Sequence, residues 1–82
     1  MPIDWSRVRS VTARQIVSAL HSDGFYIQRQ SGSHQIYRHP DGRRVTLSFH
    51  RGGETFKMDT LRSIIERQAL WTEEDLRRLG LL

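Results

Sequence analysis

The stretch Arg43-Arg44-Val45-Thr46-Leu47-Ser48-Phe49-His50 limits the fold more than any other, because apolar and polar residues alternate along it. A period of two belongs to a β-strand with one buried face, here Val45, Leu47 and Phe49. Just before it stands Pro40-Asp41-Gly42. Proline presets the first turn dihedral and glycine accepts a left-handed backbone, so the chain reverses and His34 to His39 becomes an antiparallel neighbour. Ser31-Gly32-Ser33 marks an earlier reversal, and Phe25 to Gln30 supplies the first of three strands, with Phe25 and Ile27 as its inward set. The parity of the middle strand stays open. Ile36 goes with His34 and Arg38, Tyr37 with Gln35 and His39, and either set can face the helices. With Ile36 inward, His34 would sit at the rim, partly sheltered near a helix end.

Helices flank the sheet in the chain. Thr12 and Gln15 form a capping box, Val11 and Ile16 a hydrophobic staple, and Ala13, Ile16, Val17 and Leu20 one apolar face ending at Gly24. His21, in the last turn of that helix, suits a structural role against the helix dipole. The paired glycines of Arg51-Gly52-Gly53-Glu54 suit a flexible loop or a plain connection alike. A second helix follows, with Asp59 as its expected cap and Leu61, Ile64 and Ile65 as its stripe. Trp71, Thr72, Asp75 and Leu76 mark the start of a short third helix, Glu73 to Leu79, before Gly80, with Arg77 and Arg78 balancing its own acids. The fold class expected is therefore α+β: a two-layer sandwich of a three-stranded antiparallel sheet with helices on one face, ordered α-β-β-β-α plus a short C-terminal helix. The 82 residues leave room for one domain, placed at 12–82 behind an N-terminal arm at 1–11 that has no clear period. Trp5 and Val8 of that arm either pack back onto the domain or move freely.

Charge brings in function. Of a net +4, the whole excess lies between Arg29 and Lys57, where six basic residues meet two acids, while the remaining segments carry seven of each sign. Three of the four histidines lie there too. A basic stretch with titratable imidazoles favours a phosphate-bearing partner. There is no cysteine, and histidines at 21, 34, 39 and 50 have no zinc-site spacing, so neither metal nor cofactor is expected. No apolar window reaches bilayer length, and Met1-Pro2-Ile3-Asp4-Trp5 lacks the order of a secretory signal, which makes a cytoplasmic protein the expectation.

One histidine, several guanidiniums and no convergent carboxylates suit RNA cleavage. The 2′-hydroxyl is an internal nucleophile, so the protein need only move protons, align the attack and stabilise charge on phosphorus oxygens. Imidazole exchanges protons near neutrality, and arginine offers phosphate a planar pair of donors. DNA lacks that hydroxyl, and metal-dependent nuclease chemistry would need clustered acids, whereas Asp41 and Glu54 stand alone in the basic region. A serine hydrolase would need a strand-to-helix nucleophile elbow, which the sequence lacks.

The run Arg29-Gln30-Ser31-Gly32-Ser33-His34, continued by Ile36-Tyr37-Arg38-His39-Pro40-Asp41-Gly42-Arg43-Arg44-Val45-Thr46 and later by Thr60-Leu61-Arg62-Ser63-Ile64, resembles the HicA (YcfA-like) toxin family. The likeness covers about residues 12 to 79. It implies a fold like that of double-stranded-RNA-binding domains and a metal-independent mRNA interferase of a toxin–antitoxin system, held inactive by a HicB antitoxin. It further implies His34 as the catalytic histidine, with Gly32 and Ser33 shaping its approach. His50, where histidine also occurs in the family, becomes a second proton carrier or phosphate contact. Arg29, Arg38, Arg43, Arg44 and Lys57 are the expected RNA and phosphate contacts. Where family members often have another histidine or an aromatic after the catalytic one, this chain has Gln35, and Met58-Asp59 replaces a common Pro-Gly pair. A noncatalytic RNA-binding module of the same fold is the alternative.

Overall fold

The first helix forms where its end groups find partners. In the computed structural model, which describes residues 3–8 and 10–82, α1 spans Ala13–Ser22 with Thr12 as N-cap. The Thr12 hydroxyl accepts from the Gln15 N–H at 3.2 Å, and the Gln15 side chain accepts from the Thr12 N–H at 2.8 Å. The other free donors of the first turn reach across the molecule: Ala13 N–H to the Glu54 carbonyl at 2.7 Å and Arg14 N–H to the Gly52 carbonyl at 2.9 Å. The two-glycine loop is therefore pinned on a helix end, and Thr12 pairs with Thr55 beside it. At the other end of α1, Gly24 has φ +101°, and a Cβ there would stand 2.9 Å from His39 Nε2. Only glycine satisfies both constraints.

Three antiparallel strands follow in sheet order, β1 Tyr26–Ser31, β2 His34–Arg38 and β3 Arg44–Ser48. The Pro-Asp-Gly turn closes with His39 N–H on the Arg43 carbonyl and Gly42 N–H on the His39 carbonyl, both at 2.9 Å. That closure pairs Arg38 with Arg44 and Tyr37 with Val45. Directly paired residues share a face, so burial of Val45 and Leu47 draws Tyr37 inward to 2 % exposure. Ile36 is left half-buried on the opposite face. His34 goes with it, which corrects the sheltered position that an inward Ile36 would have provided. Strand β1 departs from expectation as well. Phe25 is buried but precedes the strand, and Ile27, on the same face as its partner Tyr37, remains 42 % exposed, because helix packing covers β3 and leaves β1 largely uncovered.

The second helix starts at Met58 with Lys57, not Asp59, in the N-cap position, so Asp59 lies in its first turn. We call Met58–Arg62 α2; the same helix runs on through Ser63–Gln68 with wider π-type turns, in which the Ala69 N–H reaches the Ile64 carbonyl at 2.8 Å. Gln68 then caps the outer edge of β3, its Oε1 accepting from the Thr46 N–H at 2.8 Å. An edge donor covered in this way is withdrawn from stray strand pairing. The Thr72–Asp75 capping box opens α3, Glu73–Arg78, as its spacing predicts. Ile16, Leu20, Leu47, Leu61, Ile65 and Leu76 form the centre of the core between sheet and helices. Val8 and Val11 join it, and Arg62 lies 4.9 Å over the Trp5 ring, so these residues of the N-terminal segment pack back rather than move freely.

Asp23, the C-cap residue of α1, ties these parts together. Its carboxylate accepts from the Trp71 indole N–H at 2.9 Å and from Arg78 at 2.9 Å, and pairs with Arg43 at 3.1 Å. Its carbonyl lies 2.8 Å from His39 Nε2. Arg78 thus reaches beyond its own helix, in addition to pairing with Asp75 at 3.2 Å. Burial alone would push the Asp23 carboxyl up, but the Trp71 and Arg78 hydrogen bonds and the Arg43 charge outweigh it and hold the group below its ordinary range. Asp75 is also held low, chiefly by the Thr72 backbone N–H. These carboxyls bind protons less readily folded than unfolded, so the stability they contribute is complete above about pH 4 and fades as pH falls through their lower folded values. Asp23→Asn should cost roughly 1–3 kcal/mol at neutral pH. In urea titrations run between pH 7 and pH 2, its deficit against the parent should shrink at the acid end.

Candidate nucleic-acid interface

The type of turn between β1 and β2 sets the position of His34. Gly32, at φ +59°, is the first of two loop residues and Ser33 has no positive φ, the sign pattern of a hairpin with glycine leading. Ser31 therefore pairs directly with His34, and the Ser33 carbonyl accepts from the Phe49 N–H at 3.1 Å, which locks the turn onto the end of β3. His34, first in β2, is solvent-exposed.

Register then orders the open face into three cross-strand rows. The first is Ser31, His34 and Ser48; the second Arg29, Ile36 and Thr46; the third Tyr26, Arg38 and Arg44. Successive rows lie roughly 6.6 Å apart along the strands. The face holds three arginines and one imidazole, and none of its nine residues is acidic. Arg38 and Arg44 are direct neighbours of like charge, an arrangement that costs stability unless an anion joins them. Such a surface can grip a polyanion while presenting one proton carrier between two hydroxyls.

The expected contacts do not all meet here. Arg29, Arg38 and Arg44 share the face with His34. Arg43 points to the other side: its guanidinium bonds Asp41 at 2.7 Å, Asp23 at 3.1 Å and the Ala69 carbonyl at 2.6 Å, and covers the Phe25 ring at 4.9 Å. It is already occupied in holding the fold. Desolvation works to raise the Asp41 carboxyl, but the backbone and side-chain hydrogen bonds of Arg43 and its charge together outweigh it and hold the group low. His50 is exposed two residues beyond Ser48, its backbone N–H bonded to the Glu54 carboxylate at 3.0 Å. Lys57 is exposed at the far end of the same loop, beside α2. His39 is held at both ring nitrogens, by the Asp23 carbonyl and by the Asp41 N–H at 3.0 Å, consistent with a structural role. Among the described residues no three His, Cys, Asp or Glu side chains stand together to hold a metal ion. Residue type alone gives no signal for Ser31, Ser48 or Tyr26 on this face. Counting register back from the Pro-Asp-Gly turn places Ser48 opposite His34, and that count is available in the sequence.

A family model described as HicA toxin of bacterial toxin-antitoxin matches residues 13–70, which include all three strands and both segments of the long helix. A search of curated proteins finds no significant match.

Replacing one of the two facing guanidiniums tests this geometry without reference to any ligand. Arg44→Glu should raise stability by about 0.5–1 kcal/mol, since it turns a repulsive cross-strand pair into an attractive one. Equilibrium urea denaturation at low salt measures it, and the gain should shrink when salt is added.

Proposed function

The chain belongs to the HicA toxin family of bacterial toxin–antitoxin systems, and on that premise we propose that it is an mRNA interferase with His34 as its proton-transfer group. One observation carries the reading: the exposed imidazole of His34 and the guanidiniums of Arg29, Arg38 and Arg44 lie on one acid-free sheet face.

In this reading His34 takes the proton from a ribose 2′-hydroxyl as its oxygen attacks the adjacent phosphorus. The bond to the 5′-oxygen breaks, leaving a 2′,3′-cyclic phosphate on one fragment and a 5′-hydroxyl on the other. The leaving oxygen needs a proton, and His50, exposed just past Ser48, is the candidate to supply it. Guanidiniums of Arg29, Arg38 and Arg44 hold flanking phosphates and offset the charge that builds in the transition state. Gly32 and Ser33 contribute the tight turn that leaves the approach to His34 open. Lys57 lies off the face and would meet RNA extending past the loop. The protein would act in the cytoplasm, and a HicB-type antitoxin would silence it by covering the same basic face. The fold would serve equally for RNA binding without cleavage, and only the reaction separates the two.

The test is cleavage of an unstructured RNA in the presence of a chelator. The parent should cut it, and His34→Ala, folded by circular dichroism, should lose at least about 100-fold in rate. His50→Ala should lose less. Parent protein that binds RNA without cutting it would make the chain a binding module, and undiminished cutting by His34→Ala would remove the histidine from its role.

A further inference from the structure

Tyr26 and Arg29 are three residues apart, a spacing that would put them on opposite sides of a regular strand. Both nevertheless face the open side, because the register of β1 against β2 slips between Ile27 and Arg29, with Gln28 left over. A bulge of this kind re-aims side chains. Here it brings an aromatic ring onto the face that carries His34. Tyr26 is 51 % exposed, and its cross-strand neighbour is Arg38, itself backed by Arg44. Ile27, the other exposed apolar residue of β1, lies on the helix side.

We propose that Tyr26, with Arg38 and Arg44, forms a nucleobase subsite for single-stranded RNA, two rows from His34, where a base stacks on the phenol ring and its phosphate sits on the two guanidiniums. The inference rests on the open face being the RNA surface. An aromatic beside cations is the pattern by which unpaired bases are held, since every base has a π-face and every link a phosphate. A duplex hides its bases within the stack, so Tyr26 has nothing to receive from it. Two rows amount to about 13 Å along β2, so the stacked base lies away from the bond being cut. Tyr26 is therefore a positioning residue: it fixes which link reaches His34 and takes no part in proton transfer. The absence of acids from the face favours this occupant over a neutral peptide, and it relieves the Arg38–Arg44 repulsion.

Binding is measured on His34→Ala protein, so the outcome does not depend on whether the parent cleaves. The probe is a fluorescent, unstructured oligoribonucleotide, compared with the same strand annealed to its complement. Adding Tyr26→Ala should weaken the single strand by roughly tenfold or more, Tyr26→Phe should restore it, and the duplex should be indifferent to both. In the cleaving parent, Tyr26→Ala should raise KM and shift the preferred cut sites, with kcat nearly unchanged. Equal losses for strand and duplex, or an unchanged single-strand affinity, overturn the subsite. A loss seen only against an acidic protein partner does so too, assigning Tyr26 to a protein interface. Failure of cleavage with the Tyr26 effect intact would count against the nuclease reading alone.

Discussion

The carboxylate of Asp23 is the interaction on which the arrangement depends. It stands at the end of α1 and draws in Trp71, Arg43 and Arg78, so one group joins the first helix, the β2–β3 turn and the C-terminal segment. A single anion with this many donors stays ionised in spite of burial, because each donor favours the charged form. Losing it would leave Arg43, whose side chain is only 19 % exposed, with a weaker set of partners. The hub also sorts charge between the two sides of the sheet. Asp23, Asp41 and Arg43 are spent against one another around the helix-side turn, and the arginines of the open face are left without acids among their strand neighbours. The positive field of the open face is thus produced by pairing elsewhere as much as by the count of basic residues.

Much of this was legible from residue order. The two capping boxes, the glycine stop of α1, the three strands and the inward Val45 and Leu47 all follow from local rules, because each depends on groups within a few residues. Residue types leave the face of β2 open, since Ile36 and Tyr37 both suit a core. Pairing across the turn decides it: with Val45 inward and Arg38 opposite Arg44, Tyr37 has to be buried. Its hydroxyl finds the Gln35 side chain, which makes that burial tolerable. Exposure of Ile27 was beyond the reach of periodicity, because alternation reports parity and not whether a helix lies over an edge strand. The same applies to Arg43 and Asp23, far apart in sequence, whose pairing is created only when the turn meets the end of α1.

The candidate site divides along similar lines. His34, Arg29, Arg38 and Arg44 belong to one patterned hairpin system and come together because strand register puts them there. Ser48 and Tyr26 enter the same face through register and a bulge, features that composition does not report. The two-glycine loop, which invites a reading as a mobile segment, instead supplies carbonyls to the N-terminus of α1. It links His50 to the scaffold, so a proton carrier there would be held by a fixed loop, with its backbone tied to Glu54. Rigid placement is what a reaction limited by alignment of the 2′-hydroxyl requires.

That RNA lies on the open side of the sheet is the claim on which the functional account stands. Titrating isotope-labelled protein with an uncleavable 2′-O-methyl oligoribonucleotide, and following backbone and side-chain NMR signals, tests it most directly. The account predicts that shifts concentrate on His34, Ile36, Arg38, Ser48 and their row neighbours while Asp23, Trp71 and Arg78 stay unmoved. Shifts centred on the helix side, with the three rows silent, would contradict it.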